Sequence, residues 1–195
     1  MKRFFYYSLF YIAITNAGLV HAQDVYVGAT MSNTYTSNLN FIDAGKQLSF
    51  NSKDRALPLK IFVGHNFSQN LAVELGYKTF GKTTVDPVPG SGSVLSSRSS
   101  AWYAAGRGDM QLSEDWSLFG KLGATHTNTT FAGAGELSAL SGSVGKLGLY
   151  AGVGTAYSIT KNLALTLELE HFGIAKEKNL KFNMDGFSAG IRYQF

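Results

Sequence analysis

The sequence predicts an all-β fold: an eight-stranded antiparallel up-and-down transmembrane β-barrel, apolar on its outside and polar within. Three observations predict it. Several stretches alternate apolar and polar residues strictly, the clearest being Leu163-Ala164-Leu165-Thr166-Leu167-Glu168-Leu169-Glu170-His171-Phe172. The connections between such stretches alternate between tight and long. Beyond the first 22 residues there is no apolar run of the length a membrane helix needs. A period of two sends successive side chains to opposite faces of a strand. No helical layer is available to cover the apolar faces, and a closed barrel in lipid covers them while pairing every backbone group.

The elements follow in order. Lys2 and Arg3, the apolar and aromatic run Phe4 to Val20, and Val20-His21-Ala22 read as a signal peptide spanning 1–22, with the barrel over 23–195. A single membrane anchor is the competing reading; the run is short for one and carries Ser8, Thr15 and Asn16. Asp24-Val25-Tyr26-Val27 opens the first strand. In the second, Leu57, Leu59, Ile61 and Val63 oppose Lys60. In the third, Leu71, Val73, Leu75 and Tyr77 oppose Glu74 and Lys78. The fourth carries Arg107 and Asp109. In the fifth, Trp116, Leu118 and Leu122 oppose Lys121, and in the sixth Leu147, Leu149, Val153 and Tyr157 oppose Lys146. The seventh is the leucine strand above, and the eighth sets Ile191, Tyr193 and Phe195 against Arg192 and Gln194.

Three connections are tight and built of turn residues: Ser68-Gln69-Asn70, Ser113-Glu114-Asp115 and Thr160-Lys161-Asn162. Four are long, over 37–56, 81–98, 129–142 and 173–185; the second contains Asp86-Pro87-Val88-Pro89-Gly90, which cannot continue a ladder. Seven connections make eight strands, with both termini at the tight-turn end. A soluble eight-stranded barrel is the alternative. It would have to bury the charges in a dry core or leave the leucines in water, and both are costly.

Composition excludes several functions. The chain has no cysteine, so structural disulfides, thiolate zinc sites and cysteine catalysis are out. Its formal charge of +4 falls to about +2 without Lys2 and Arg3, and no basic stripe exists, so nucleic acid is not an expected partner. The histidines lack the clustered spacing of a metal site, and no cofactor is expected. Abundant glycine (22) suits strands around a narrow lumen, and the aromatics are assigned to interfacial girdles.

An eight-stranded barrel is just wide enough for side chains to fill. The inward charges, Lys60, Lys78, Arg107, Lys121, Lys146 and Arg192 against Glu74, Asp109, Glu168 and Glu170, are therefore expected to pair. Glu74, Arg107, Lys121, Glu168 and Arg192 are expected in one layer, with Glu74–Arg107 and Glu168–Arg192 as pairs on adjacent strands. Such pairs either plug the lumen or, by exchanging partners, gate a small pore or solute conduit.

The stretches Leu71-Ala72-Val73-Glu74-Leu75-Gly76-Tyr77, Glu114-Asp115-Trp116-Ser117-Leu118-Phe119-Gly120-Lys121, Gly152-Val153-Gly154-Thr155-Ala156-Tyr157, Leu167-Glu168-Leu169 and Ile191-Arg192-Tyr193-Gln194-Phe195, in this order and spacing, resemble the small eight-stranded outer-membrane family typified by the OmpA transmembrane domain and OmpX. The resemblance implies the outer membrane of a Gram-negative bacterium as the location and a lumen gate of two glutamates, a lysine and an arginine. Glu74 and Glu168 match the glutamates and Arg107 the lysine. Gln194 stands at the arginine position, with Arg192 one inward position earlier. The chain ends at the eighth strand, like the barrel-only members, and Phe195 resembles the terminal signal read by the barrel-assembly machinery. Outer-membrane lipid and lipopolysaccharide, a host surface ligand and a monomeric state are the expected partners and form.

The resemblance also raises lipid A modification, since one such barrel uses a His-x-Ser pair on its outer wall. Here the equivalent is His126-Thr127-Asn128, and an amide is a poor nucleophile, although Ser141 and Ser143 lie across the hairpin. The expected role is therefore not enzymatic. It is structural or surface-interacting (adhesion, envelope integrity), carried by four extracellular loops.

Overall fold

The computed structural model describes residues 24–33, 40–43, 46–49, 57–85, 95–135, 141–173 and 183–195; the segment 1–22, read from the sequence as a signal peptide, and much of the four long connections lie outside these. Eight strands close one antiparallel barrel: β1 (Val25–Ser32), β4 (Leu59–Asn66), β5 (Leu71–Val85), β6 (Leu95–Gln111), β7 (Trp116–Gly133), β8 (Gly142–Ser158), β9 (Leu163–Gly173) and β10 (Asn183–Gln194), each paired with its sequence neighbour and β10 with β1. The first long connection holds a small separate hairpin, β2 (Asn40–Asp43) and β3 (Lys46–Ser49).

The tight turns share one construction. Amides of Phe67 and Ser68 both donate to the Leu71 carbonyl, those of Leu112 and Ser113 to Trp116, and those of Ile159 and Thr160 to Leu163. The Phe195 amide donates to Val25 O (3.0 Å), so both ends of the barrel chain lie at this end.

Three of the four long connections are shorter than the sequence predicts, and the first, between Ser32 and Leu59, is longer. β5 and β6 stay paired to Val85 and Leu95, and β7 and β8 to Phe131 and Gly142. These extensions, Ser96 to Ser100 and Thr127 to Thr130, are polar on both faces. They lack the alternation that marks a strand half in lipid, yet their backbone ladder continues.

Side chains alternate in and out as a barrel inverted for lipid requires. Leu71, Val73 and Leu75 of β5 are exposed while Ala72, Glu74 and Gly76 are buried; Leu165, Leu167 and Leu169 of β9 are exposed while Thr166, Glu168 and Glu170 are buried. A row of partners traced from Val25 passes His65, Val73, Gly106, Leu122, Ala151 and His171 and re-enters β10 at Asp185, ten residues from Phe195. A stagger of that size goes with strands tilted by about 35–45°. At about 2.4 Å of axial rise per tilted residue, two outward aromatic belts stand on the order of 20 Å apart. Trp116, Tyr157, Tyr193 and Phe195 form the belt near the tight turns, and Tyr77 and Trp102, 4.7 Å between centroids, mark the other.

Inside, large rings lie over glycines. Phe62 faces Gly28, Tyr26 faces Gly64, Tyr103 faces Gly76 and Phe119 faces Gly154, each pair directly opposed in the ladder. A Cβ at any of these glycines would strike the ring that covers it. The aromatics assigned by sequence to girdles are thus divided between the outer belts and the lumen, where Tyr26, Phe62, Tyr103, Phe119, Tyr150 and Phe172 are buried.

Candidate functional site

The lumen holds one continuous chain of alternating charge. From the tight-turn end, Arg192 Nη1 is 3.8 Å from Asp109 Oδ1, and Arg107 grips the same carboxylate, Nη2 to Oδ1 at 2.6 Å and Nε to Oδ2 at 2.8 Å. Arg107 Nη1 stands 4.0 Å from Glu74 Oε2. Lys121 Nζ then bridges Glu74 (2.8 Å) and Glu168 (3.0 Å), Lys60 Nζ bridges Glu168 (2.8 Å) and Glu170 (2.5 Å), and Lys78 Nζ closes on Glu170 (2.5 Å). Five cations and four carboxylates therefore run Arg192–Asp109–Arg107–Glu74–Lys121–Glu168–Lys60–Glu170–Lys78, contributed by β4, β5, β6, β7, β9 and β10. Burial of so many charges is tolerated because each carboxylate has at least two partners.

Phenols complete the shell. Tyr103 Oη (2.5 Å) and Tyr26 Oη (3.1 Å) donate to Glu74, and Tyr150 Oη lies 3.0 Å from both Glu168 and Glu170. Aromatic faces cover the cations: the Arg107 guanidinium is 4.0 Å from the Phe119 centroid, and Lys78 Nζ is 5.2 Å from that of Phe172. Toward the long-loop end the charge chain meets an aromatic cluster. Tyr103 and Tyr150 stack at 4.2 Å, Phe172 lies 4.9 Å from Tyr150, and Phe80 lies 5.2 Å from Phe172.

All five residues singled out in the sequence, Glu74, Arg107, Lys121, Glu168 and Arg192, belong to this chain, joined by Lys60, Lys78, Asp109 and Glu170 from the wider inward set. Two pairings differ from expectation. The Glu74–Arg107 contact is long, because Arg107 stands across from Ala72 and prefers Asp109, two residues along its own strand. Arg192 meets Asp109 rather than Glu168, because Glu168 stands across from Ser188, while Arg192 stands across from Ala164, nearer the turns. Lys146 faces inward farther toward the long loops, across from Thr127. Gln194, at the position where the resemblance places an arginine, accepts a hydrogen bond from Asn66 Nδ2 at 3.1 Å. The three phenols went unrecognised in the sequence; their inward parity, shared with Arg107 on β6 and Gly152 on β8, is the signal that marks Tyr103 and Tyr150.

His126 and Asn128 both face outward on β7, and Thr127 faces in. Ser143 Oγ lies 2.8 Å from Asn128 Oδ1, and Ser141 Oγ accepts from the Gly133 amide at 3.2 Å, so each serine is engaged away from His126, whose ring lies over Gly145. His171 Nδ1 is 2.5 Å from Asp185 Oδ1, both on the outer face at the level of Trp102. Among the described residues no three His, Asp or Glu side chains are grouped as metal ligands. Phe195 is half exposed, its ring 5.2 Å from that of Tyr193 in the lower belt.

Comparison with known proteins places this geometry. The OmpA-like transmembrane domain family matches the sequence over residues 20–195. A comparison with curated proteins finds no match. Among solved structures, the N-terminal β-barrel domain of Pseudomonas aeruginosa OprF is similar with a TM-score of 0.57 at 15% identity, covering 88% of this chain and 98% of that one. Outer membrane protein OprG of the same organism gives 0.56 at 16%, covering 90% and 97%. Ail, the attachment invasion locus protein of Yersinia pestis, solved with the heparin analogue sucrose octasulfate, gives 0.51 at 18%, covering 87% and 99%. At these identities the likeness shows the fold.

Proposed function

The chain belongs to the OmpA-like transmembrane domain family and is an integral β-barrel of the Gram-negative outer membrane, and from that premise we propose that it is a sealed, non-catalytic barrel that acts through its outer surface. The observation that carries this reading is the uninterrupted charge chain from Arg192 to Lys78, roofed by Phe80, Phe172, Tyr103 and Tyr150. A charge chain paired this closely would obstruct solute, and among the described residues neither Ser141 nor Ser143 is hydrogen-bonded to His126, the arrangement that acyl chemistry would need. What remains is the exterior: the lipid-facing wall and the four long connections, which face outward if the tight turns and termini lie in the periplasm. Adhesion and envelope integrity are the roles this design serves, with barrel-assembly recognition at Phe195 and a monomer as the working unit. A sulfated glycan is the first surface ligand to try, since a similar barrel, Ail, was solved with a heparin analogue.

A second reading, a gated conduit, draws on one observation: Glu74 stands between two cations, Lys121 at 2.8 Å and Arg107 at 4.0 Å. A shift of that carboxylate from one to the other would break the chain and open a polar path. Planar-bilayer recording separates the two. No current from the parent protein, and none from Glu74→Ala or Arg107→Ala, supports the sealed barrel. Discrete parent openings that either substitution alters overturn it in favour of the gate.

A further inference from the structure

We propose that Lys82 and Arg98 form an anion site on the outer wall that seats the phosphate of a phosphorylated glycolipid in the outer leaflet. The proposal rests on the membrane orientation in the reading above and adds a partner to that outer surface.

The site depends on a change of parity in β5. Ala72, Glu74, Gly76 and Lys78 all face the lumen, and Phe80 follows them to pack on Phe172. Unbroken alternation would carry Lys82 inward as well. Instead the register slips by one residue between Thr79 and Lys82, and Gly81 takes up φ 84°, a backbone region that favours glycine. The bulge turns Lys82 to the exposed outer face, directly opposite Arg98, which is exposed as well. Like charges directly across a ladder repel. Among the described residues neither has a carboxylate at ion-pairing distance.

The surroundings suit an amphiphile. The same ladder row continues from Arg98 to Thr130 and Ser143, both exposed, adding two hydroxyls to two cations. Toward the membrane lie Ser100 and Asn128, then Trp102 of the aromatic belt, and then the leucine wall. Arg98 sits four residues beyond Trp102 on the same face of β6, about 10 Å farther from the hydrocarbon at the rise of a tilted strand. A ligand spanning these zones has acyl chains against the wall, a phosphate at the cations and sugar hydroxyls along the row. The wall below is continuous with lipid, which favours a membrane glycolipid over a free anion. A phosphate monoester between an ammonium and a guanidinium gains charge-assisted hydrogen bonds that neither cation makes alone.

The test is lipid retention by the full barrel, reconstituted in phosphatidylcholine nanodiscs with bisphosphorylated lipid A and, in parallel, with the same lipid dephosphorylated. Folding of every variant is checked by heat-modifiable gel migration. The parent retains phosphorylated over dephosphorylated lipid by at least tenfold, and the Lys82→Ala/Arg98→Ala double variant loses that preference. Lys82→Glu, which gives Arg98 an internal partner, loses it too while remaining folded. Lys161→Ala, in the tight turn at the opposite end, leaves retention unchanged. Equal retention by parent and double variant overturns the proposal, as does indifference to the phosphates. Displacement of the lipid by millimolar inorganic phosphate identifies a bare anion site and overturns the glycolipid assignment. Bilayer recording on the same samples reads the sealed-lumen proposal separately: a conducting parent with intact lipid preference overturns that reading and leaves this one standing.

Discussion

The two faces of one strand show how differently this barrel treats its two surroundings. Along β9, Leu165, Leu167 and Leu169 present a uniform apolar row, any member of which could be exchanged for another. Glu168 and Glu170, one residue displaced, are individually specified: Glu168 holds Lys60, Lys121 and Tyr150 at once, and Glu170 holds Lys60, Lys78 and Tyr150. The outer face answers to a solvent, and almost any apolar side chain satisfies it. The inner face answers to partners, and only particular residues at particular rows do. Tolerance to substitution should therefore be broad and graded by depth outside, and narrow and graded by position along the charge chain inside.

The largest expected effect comes from the middle of that chain. Glu168→Ala removes the carboxylate shared by Lys60 and Lys121 and leaves each of these buried ammonium groups with one carboxylate fewer. Breaking a buried pair of this kind costs about 3–5 kcal/mol. Urea unfolding of the barrel in liposomes, followed by gel migration, checks it; a loss below about 1 kcal/mol would mean that lumenal water replaces the partner. The outer-face counterpart is Leu167→Arg, one residue away. It places a cation in hydrocarbon between the two aromatic belts and should cost about 2–4 kcal/mol, whereas the same change at Leu112, beyond the lower belt, should cost little. Equal costs at Leu167 and Leu112 would break the assignment of the outer face to lipid.

Packing gives a smaller effect. Gly76→Val introduces branching where even a Cβ would strike the Tyr103 ring. The ring must swing away, taking its hydroxyl from Glu74, and overpacking of this sort costs about 1–3 kcal/mol. Gly120→Val, on the outer face with open space around it, should be close to neutral in the same assay. The inner and outer glycines would then differ as the inner and outer rows of β9 do.

The sequence made the fold legible because lipid imposes a period of two, and the inward charges broke that period nowhere between the belts. It did not reveal where the strands end. Ser96 to Ser100 and Thr127 to Thr130 stand beyond the hydrocarbon, where neither face must be apolar, so hydropathy falls silent while the ladder continues. The bulge at Gly81 was hidden for the same reason. The membership of the charge chain was legible, since inward parity plus burial forces pairing, but the partners were not. Adjacent strands do not imply adjacent rows: with a ten-residue stagger Glu168 stands across from Ser188, leaving Arg192 four residues nearer the turns. Pairing across the lumen, as between Lys60 on β4 and Glu168 on β9, depends on closure and leaves no local mark at all.

Arg192 offers the finest test, because sequence and structure assign it different weight. By resemblance it stands nearest the arginine of a four-residue gate and should matter as much as Glu74. In the structure it ends the chain: its one ion pair is 3.8 Å long, to an Asp109 that Arg107 already holds through two bonds, and its side chain is 20% exposed. A partly solvated terminal pair of that length is worth at most about 1 kcal/mol. Arg192→Ala should therefore unfold within about 1 kcal/mol of the parent, with the Arg107–Asp109 fork intact, and should leave bilayer recordings unchanged. Asp109→Ala should cost more, since it strips Arg107 of its closest carboxylate. If Arg192→Ala proves the costlier of the two, or alone admits current, the chain does not end where the distances place its end, and the gate inferred from resemblance would outrank the order read from geometry.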